Sequence, residues 1–153
     1  MDIVNIKEKQ EYIEDVARLY KLECAHYNNL TEFNDKVNQT VNKIKNNLDN
    51  PNYCKLILLD GSNLVGFISI FPTDGDEYQN LTPWYATMYV KKEYRGKGYS
   101  KILNDAILKE AKNRGFKKFY LKSDLVNYYE KFGAKYMTDL KNGEKLYYIS
   151  LED

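Results

Sequence analysis

The segment Tyr94–Lys101, YRGKGYSK, holds two glycines and three cations in eight residues. It stands three residues after the apolar TMYV and directly before the helix-like ILNDAILKEAK. Where a strand gives way to a helix, several backbone N–H groups lack internal partners and point toward one spot. Gly96 and Gly98 let the chain turn and let a ligand come close, while Arg95, Lys97 and Lys101 add full positive charge. That spot suits an anion of the phosphate type. The helix dipole alone contributes only ~0.3–1 kcal/mol, so hydrogen bonds and cations must carry most of the affinity. Two familiar phosphate loops do not fit. A Walker A loop needs GxxxxGK[ST], and a dinucleotide turn needs GxGxxG with an acidic residue about 20 positions on.

The elements around this turn follow from periodicity. MDIVNI at the start alternates like a short strand, and EYIEDVARLYKLE places Ile13, Val16, Leu19 and Tyr20 on one helical face. A second amphipathic helix is expected in FNDKVNQTVNKIKNNL, with Asn34 or Asp35 as its cap and Asn50-Pro51 as its stop. YCKLILLD and LVGFISIF, joined by DGSN, read as a hairpin. After the polar loop TDGDEYQNLTP come the strand WYATMYVK, the helix SKILNDAILKEAKNRG closed by Gly115, and the strand KKFYLK. A short helix is expected around LVNYYEKFG, then a final hairpin with an Asn-Gly turn. The order implies an α/β protein of the mixed type, its sheet of about seven strands mostly antiparallel, with about four helices on its faces.

A chain of 153 residues suits one domain, residues 1–153. Its 23 Lys and Arg against 22 Asp and Glu give a net charge of +1, which disfavours nucleic acid or an anionic membrane as partner. The apolar runs are far shorter than the ~20 residues of a membrane span, and no signal segment opens the chain, so a cytoplasmic location is expected. Cys24 and Cys54 form no CxxC pair and His26 is the sole histidine, which excludes the usual zinc patterns and leaves no metal site expected. The cysteines read as reduced and buried.

RGKGYS resembles the acetyl-CoA loop of the GNAT superfamily of N-acetyltransferases, Gln/Arg-x-x-Gly-x-Gly/Ala. Arg95 and Gly98 match, and Ser100 stands where Gly or Ala is usual. LTPWYATMYVKKEYRGKGYSKIL is similar throughout to that family's strand, turn and helix, and YYEKFGA at 128–134 resembles its later Tyr-Glu-Lys-x-Gly element. The resemblance implies an acetyl-CoA-dependent acyltransferase acting on a primary amine of a small molecule or peptide. It assigns Met88, Tyr89 and Val90 to the pantetheine arm and Arg95, Gly96, Lys97, Gly98, Tyr99, Ser100 and Lys101 to the pyrophosphate. A backbone N–H near Met88 or Tyr89 then faces the thioester oxygen, where such a donor is worth ~3 kcal/mol as charge develops. Tyr129 takes the place of the family's tyrosine, which assists the departing thiolate, and Tyr128 is expected to pack.

Two departures stand out. An Asn that contacts the CoA arm in many relatives is replaced by LKSD, leaving Ser123 or Asp124 as stand-ins. A glutamate base carried by some relatives aligns with Trp84, here a wall of core and acceptor site. Deprotonating a lysine-like amine at pH 7 costs ~4.6 kcal/mol, so the gap matters. Asp74, Asp76 and Glu77 before Trp84, and Glu23 and His26 near the end of the first helix, are the acceptor-side candidates. The rival reading is a catalytically silent acyl-CoA-binding module, and the last hairpin offers an edge for a homodimer.

Overall fold

In a computed structural model that describes residues 1–24, 26–74, 77–125 and 127–152, the chain opens with β1 (Asp2–Asn5). Two single 3₁₀ turns, Ile6–Glu8 and Gln10–Tyr12, lead into α1 (Ile13–Cys24). α2 spans Leu30–Asn47 and starts earlier than its periodicity suggests. Its cap is Asn29 rather than Asn34 or Asp35: the Asn29 side chain accepts from the Glu32 N–H at 2.8 Å, and the Glu32 carboxylate accepts from the Asn28 N–H at 3.0 Å. This reciprocal box satisfies two otherwise orphaned donors, so the helix nucleates before its first buried residue, Phe33.

β2 (Cys54–Asp60), β3 (Asn63–Phe71) and β4 (Trp84–Val90) follow, then α3 (Tyr99–Asn113), β5 (Lys118–Ser123), β6 (Ala134–Asp139) and β7 (Lys145–Ser150). The seven strands form one mostly antiparallel sheet, as the sequence implies, in the order β1-β2-β3-β4-β5-β7-β6. Its pairings are antiparallel except β4 with β5, which run parallel and meet at a single residue pair, Trp84 with Tyr120. Beyond that pair the two strands diverge. The expected fourth helix is only a 3₁₀ turn, Tyr129–Phe132. Left-handed residues bracket it, Asn127 at φ 60° and Gly133 at φ 89°, and leave no room for a second turn.

Alternation along β2 and β3 sends side chains to two cores. Leu56, Leu58, Val65 and Ile68 face α3, whose Leu103 and Ile107 are fully buried, while Ile57, Leu59, Leu64 and Phe67 face α1 and α2. Burying each such side chain is worth about 1.5–3 kcal/mol. Gly66 lets β4 approach: a Cβ there would stand 2.4 Å from the Tyr89 carbonyl oxygen. Cys54 is a free, buried thiol whose pKa burial pushes up to about 11, in keeping with an inert cysteine. Among the described residues no helix is long and apolar enough to cross a membrane.

Candidate functional site

The turn between β4 and α3 has the shape its glycines require. Gly96 and Gly98 lie at φ 77° and 84°, and no heavy atom stands within 4 Å of where a Cβ would be on either. The first bond of α3 runs from the Ile102 N–H to the Gly98 carbonyl at 3.3 Å, and no side chain caps the helix, so the N–H groups ahead of Ile102 face outward. Arg95 braces the turn: its Nε donates to the Val90 carbonyl at 2.9 Å, and its guanidinium lies 5.2 Å from the Tyr89 ring centroid. Lys101 is drawn along the helix to Asp105 at 2.7 Å, while Lys97 lies over the Tyr94 ring.

A cavity of about 270 Å³ opens against this turn. Met88, Tyr89 and Val90 of β4 form one wall, and Arg95, Gly96, Gly98, Tyr99 and Ser100 form another. The structure thus brings together eight of the ten residues expected to hold the donor; Lys97 and Lys101 flank the cavity from the turn. Tyr94 and Tyr128 complete the lining. Tyr129 stands behind Tyr128, the two rings edge to face at 4.8 Å, and makes a similar contact with Tyr85 at 5.9 Å. Burial, then the neighbouring Tyr128, pushes the Tyr129 hydroxyl above the ordinary tyrosine pKa. Tyr85 is fixed by a 2.8 Å hydrogen bond to the Asn104 side chain. Ser123 accepts from the Leu125 N–H at 3.0 Å, and Asp124 is exposed.

β4 is interrupted between the stretches that pair with Phe67 and Ser69, and there Thr87 adopts φ 55°, a strained value for a β-branched residue. This bulge separates two cavities. Met88 lines the first, and Thr87 lines a second, about 230 Å³, between the sheet and α1 and α2. Tyr20 and Lys21 of α1, Thr40, Lys43 and Ile44 of α2, and Tyr53, Phe71, Thr73 and Asp74 complete it. The Tyr53 hydroxyl is the one buried side-chain polar atom among the described residues with no hydrogen-bond partner. A buried orphan of this kind is costly.

Of the acceptor-side candidates among the described residues, only Asp74 lines this second cavity. Burial raises its carboxyl pKa against the opposing pull of Lys122, which stands 3.6 Å away. Asp74 also borders a third cavity with Glu77 and Trp84. Glu77 accepts from the Lys141 N–H at 2.9 Å and so tethers its loop to the β6–β7 turn. Trp84, 1% exposed, donates to the Leu81 carbonyl. His26 is exposed and lines none of these cavities, while Asp76 and the Glu23 side chain lie outside the described residues. Thr87, Tyr53, Thr40 and Lys43 carry no motif and reach the cavity from three separate parts of the chain, β4, the approach to β2 and α2, so sequence reasoning misses them.

The acetyltransferase (GNAT) family model matches residues 13–134. Among solved structures, the aminoglycoside 6'-N-acetyltransferase from Enterococcus faecium is similar at 19% identity and TM-score 0.73, covering 100% of this chain and 98% of that one. A spermidine N-acetyltransferase from Vibrio cholerae is similar at 16% and 0.71, over 99% and 95% of the two chains. The PaiA N-acetyltransferase of Thermoplasma acidophilum, solved with coenzyme A, is similar at 22% and 0.65, over 98% and 99%. At these identities the likeness is one of fold. No curated protein matches the sequence.

Proposed function

The chain belongs to the acetyltransferase (GNAT) family, and with that as premise we propose that it acts over residues 1–153 as one domain, an N-acetyltransferase joining acetyl-CoA to an amine across the β4 bulge. The observation that carries this reading is the meeting of two cavities at Thr87 and Met88, one of them ending on an uncapped helix start. The residues fit the donor. Outward N–H groups at the start of α3, with Arg95 and Lys97 beside them, suit a pyrophosphate, and the exposed edge of β4 past Trp84 suits the amide-bearing pantetheine arm.

The amine enters from the second cavity. Phe71 and Tyr20 give it apolar and aromatic walls, and Thr87 stands beside the reacting carbonyl. Named relatives act on aminoglycosides and spermidine. This cavity differs from a purely acidic one, because Lys21 and Lys43 share its walls with Asp74. The amine's lone pair attacks the thioester carbon, the C–S bond breaks, and the electron pair leaves with sulfur. A backbone N–H at the bulge stabilises the oxygen as charge develops on it.

By the family resemblance Tyr129 donates to the departing sulfur. A second reading rests on one observation: Tyr128, not Tyr129, lines the donor cavity. The function itself is tested by adding acetyl-CoA to wild type and to Gly98→Glu and following thermal denaturation. The wild type is expected to gain several degrees, as a ligand specific to the folded state requires, and the variant none. Thiol release is then screened against spermidine, kanamycin, free amino acids and short peptides. Equal shifts in both proteins remove the turn from the donor site; a shift without thiol release leaves a silent acyl-CoA-binding module.

A further inference from the structure

Lys55 lies where the sheet otherwise offers hydrocarbon. Set between Cys54 and Leu56 in β2, it is 4% exposed, and its Nζ stands 2.6 Å from the hydroxyl of Ser69, which is wholly buried. The rings of Phe67 and Phe71 close over the amine at 4.9 and 5.4 Å. No carboxylate among the described residues pairs with it. A buried ammonium without a counter-ion is costly, so such a lysine sheds its proton readily. Burial, then the charge of Lys43, whose ammonium lies 5.4 Å from the centroid of the same Phe71 ring, pushes its pKa down to about 7.

Lys55 and Ser69 adjoin the second cavity without lining it: Phe71, whose ring lies over the amine, belongs to that cavity's wall, and so does Lys43. The other charged and titratable groups of the wall are Lys21 and Tyr20 of α1, Tyr53 before β2 and Asp74 after β3, with Asp74 engaged by Lys122. Strand pairing aligns the polar groups. Lys55 is opposite Ser69, Ser69 is opposite Ala86, and Thr87 follows at the bulge and opens into the cavity. A row of three polar side chains therefore crosses β4, β3 and β2, from the place of acyl transfer to a buried amine.

We propose that Lys55, through the Ser69 hydroxyl, takes the proton that the acceptor's ammonium loses before its nitrogen attacks. The inference rests on the acetyltransferase reading above. The ammonium gives a proton to the Thr87 hydroxyl, which lines the cavity, the Thr87 O–H gives its own to Ser69 Oγ, and the Ser69 O–H gives its own to the Lys55 lone pair, leaving a free amine and a Lys55 ammonium. After attack, the nitrogen's second proton goes to the departing thiolate, giving CoA as the thiol. Lys55 returns its proton to solvent, so the sum is ammonium plus acetyl-CoA to amide, CoA thiol and one proton. Lys55 thereby fills the role that no acid at position 84 can fill.

The test compares kcat/KM for wild type, Lys55→Met and Ser69→Ala from about pH 6 to about pH 10, with spermidine, kanamycin and free amino acids as acceptors. Methionine keeps the length of the lysine stem, so both variants are expected to fold and to bind acetyl-CoA with the wild-type thermal shift. Wild-type kcat/KM should level off above about pH 7.5, whereas both variants should climb about tenfold per pH unit toward the pKa of the amine. Their deficit is then about 10²-fold near pH 7.5 and vanishes near pH 10. In the free wild-type protein the Lys55 side-chain NMR signal, assigned by its absence in Lys55→Met, should titrate near 7. A deficit independent of pH, no deficit, or a Lys55 signal titrating with surface lysines near ~10.4 overturns the proposal. A wild type that binds acetyl-CoA yet acetylates no acceptor at any pH fails at the functional reading instead, and takes this inference with it.

Discussion

Tyr128 and Tyr129 are neighbours in the chain with different surroundings, and the proposed reaction gives them different roles. Tyr129, held edge-on between Tyr85 and Tyr128, has a hydroxyl whose raised pKa makes full proton transfer uphill and favours a role as hydrogen-bond donor to sulfur. Tyr129→Phe is expected to leave the acetyl-CoA thermal shift intact while kcat falls about 10²-fold, with Tyr128→Phe costing much less. Steady-state kinetics on both variants checks this; a reversed pair of losses moves the donor to Tyr128. Asp74 is the other residue with a separable effect. Asp74→Asn should raise the acceptor KM severalfold and leave that of acetyl-CoA unchanged, because its carboxylate borders the second cavity and not the first. Equal KM values for wild type and variant would remove it from the acceptor site.

The elements that carry the site differ in how openly the sequence declares them. The β4–α3 turn was legible because its chemistry is local: glycines, cations and a helix start within eight residues. The start of α2 was misplaced by several residues because its apolar period begins at Phe33 while its cap lies upstream at Asn29. The bulge at Thr87 was invisible, since nothing in WYATMYV marks a residue with φ 55°; the strain is imposed by pairing with β3. Lys55 carries no motif within the strand run CKLILL, and its partner Ser69 is known only through strand register. The acceptor cavity, assembled from α1, α2, β3 and β4, stayed out of reach for the same reason. Gly66 shows how tight that assembly is. Gly66→Ala would push a methyl into the Tyr89 carbonyl and the Leu103 side chain, and should cost about 1–3 kcal/mol in denaturant unfolding with loss of acetyl-CoA binding. A variant as stable as wild type would mean that β3 and β4 have slack at the donor site.

For the whole molecule, the buried lysine leaves a signature in stability against pH. Its folded pKa of about 7 lies below the ordinary 10.5, so between those values the unfolded chain holds a proton that the native protein does not. Stability therefore rises with pH through that window, and the penalty of Lys55 is complete below about 7. Lys55→Met should be the more stable protein below pH 7, by up to about 5 kcal/mol, with the gap closing toward pH 10. Urea unfolding at a series of pH values reads this directly; a constant gap would mean that Lys55 keeps its proton when folded. The parting of β4 from β5 has its own consequence. Two half-sheets meet at the Trp84–Tyr120 pair, with α3 as the covalent strap between them, so backbone amides along the open seam have water in place of a cross-strand partner. Those amides should take up deuterium within seconds while the interiors of β2 and β3 resist, and acetyl-CoA lying in the seam should slow them selectively. The donor would then act as a missing strand, and the molecule would be a continuous sheet only while loaded.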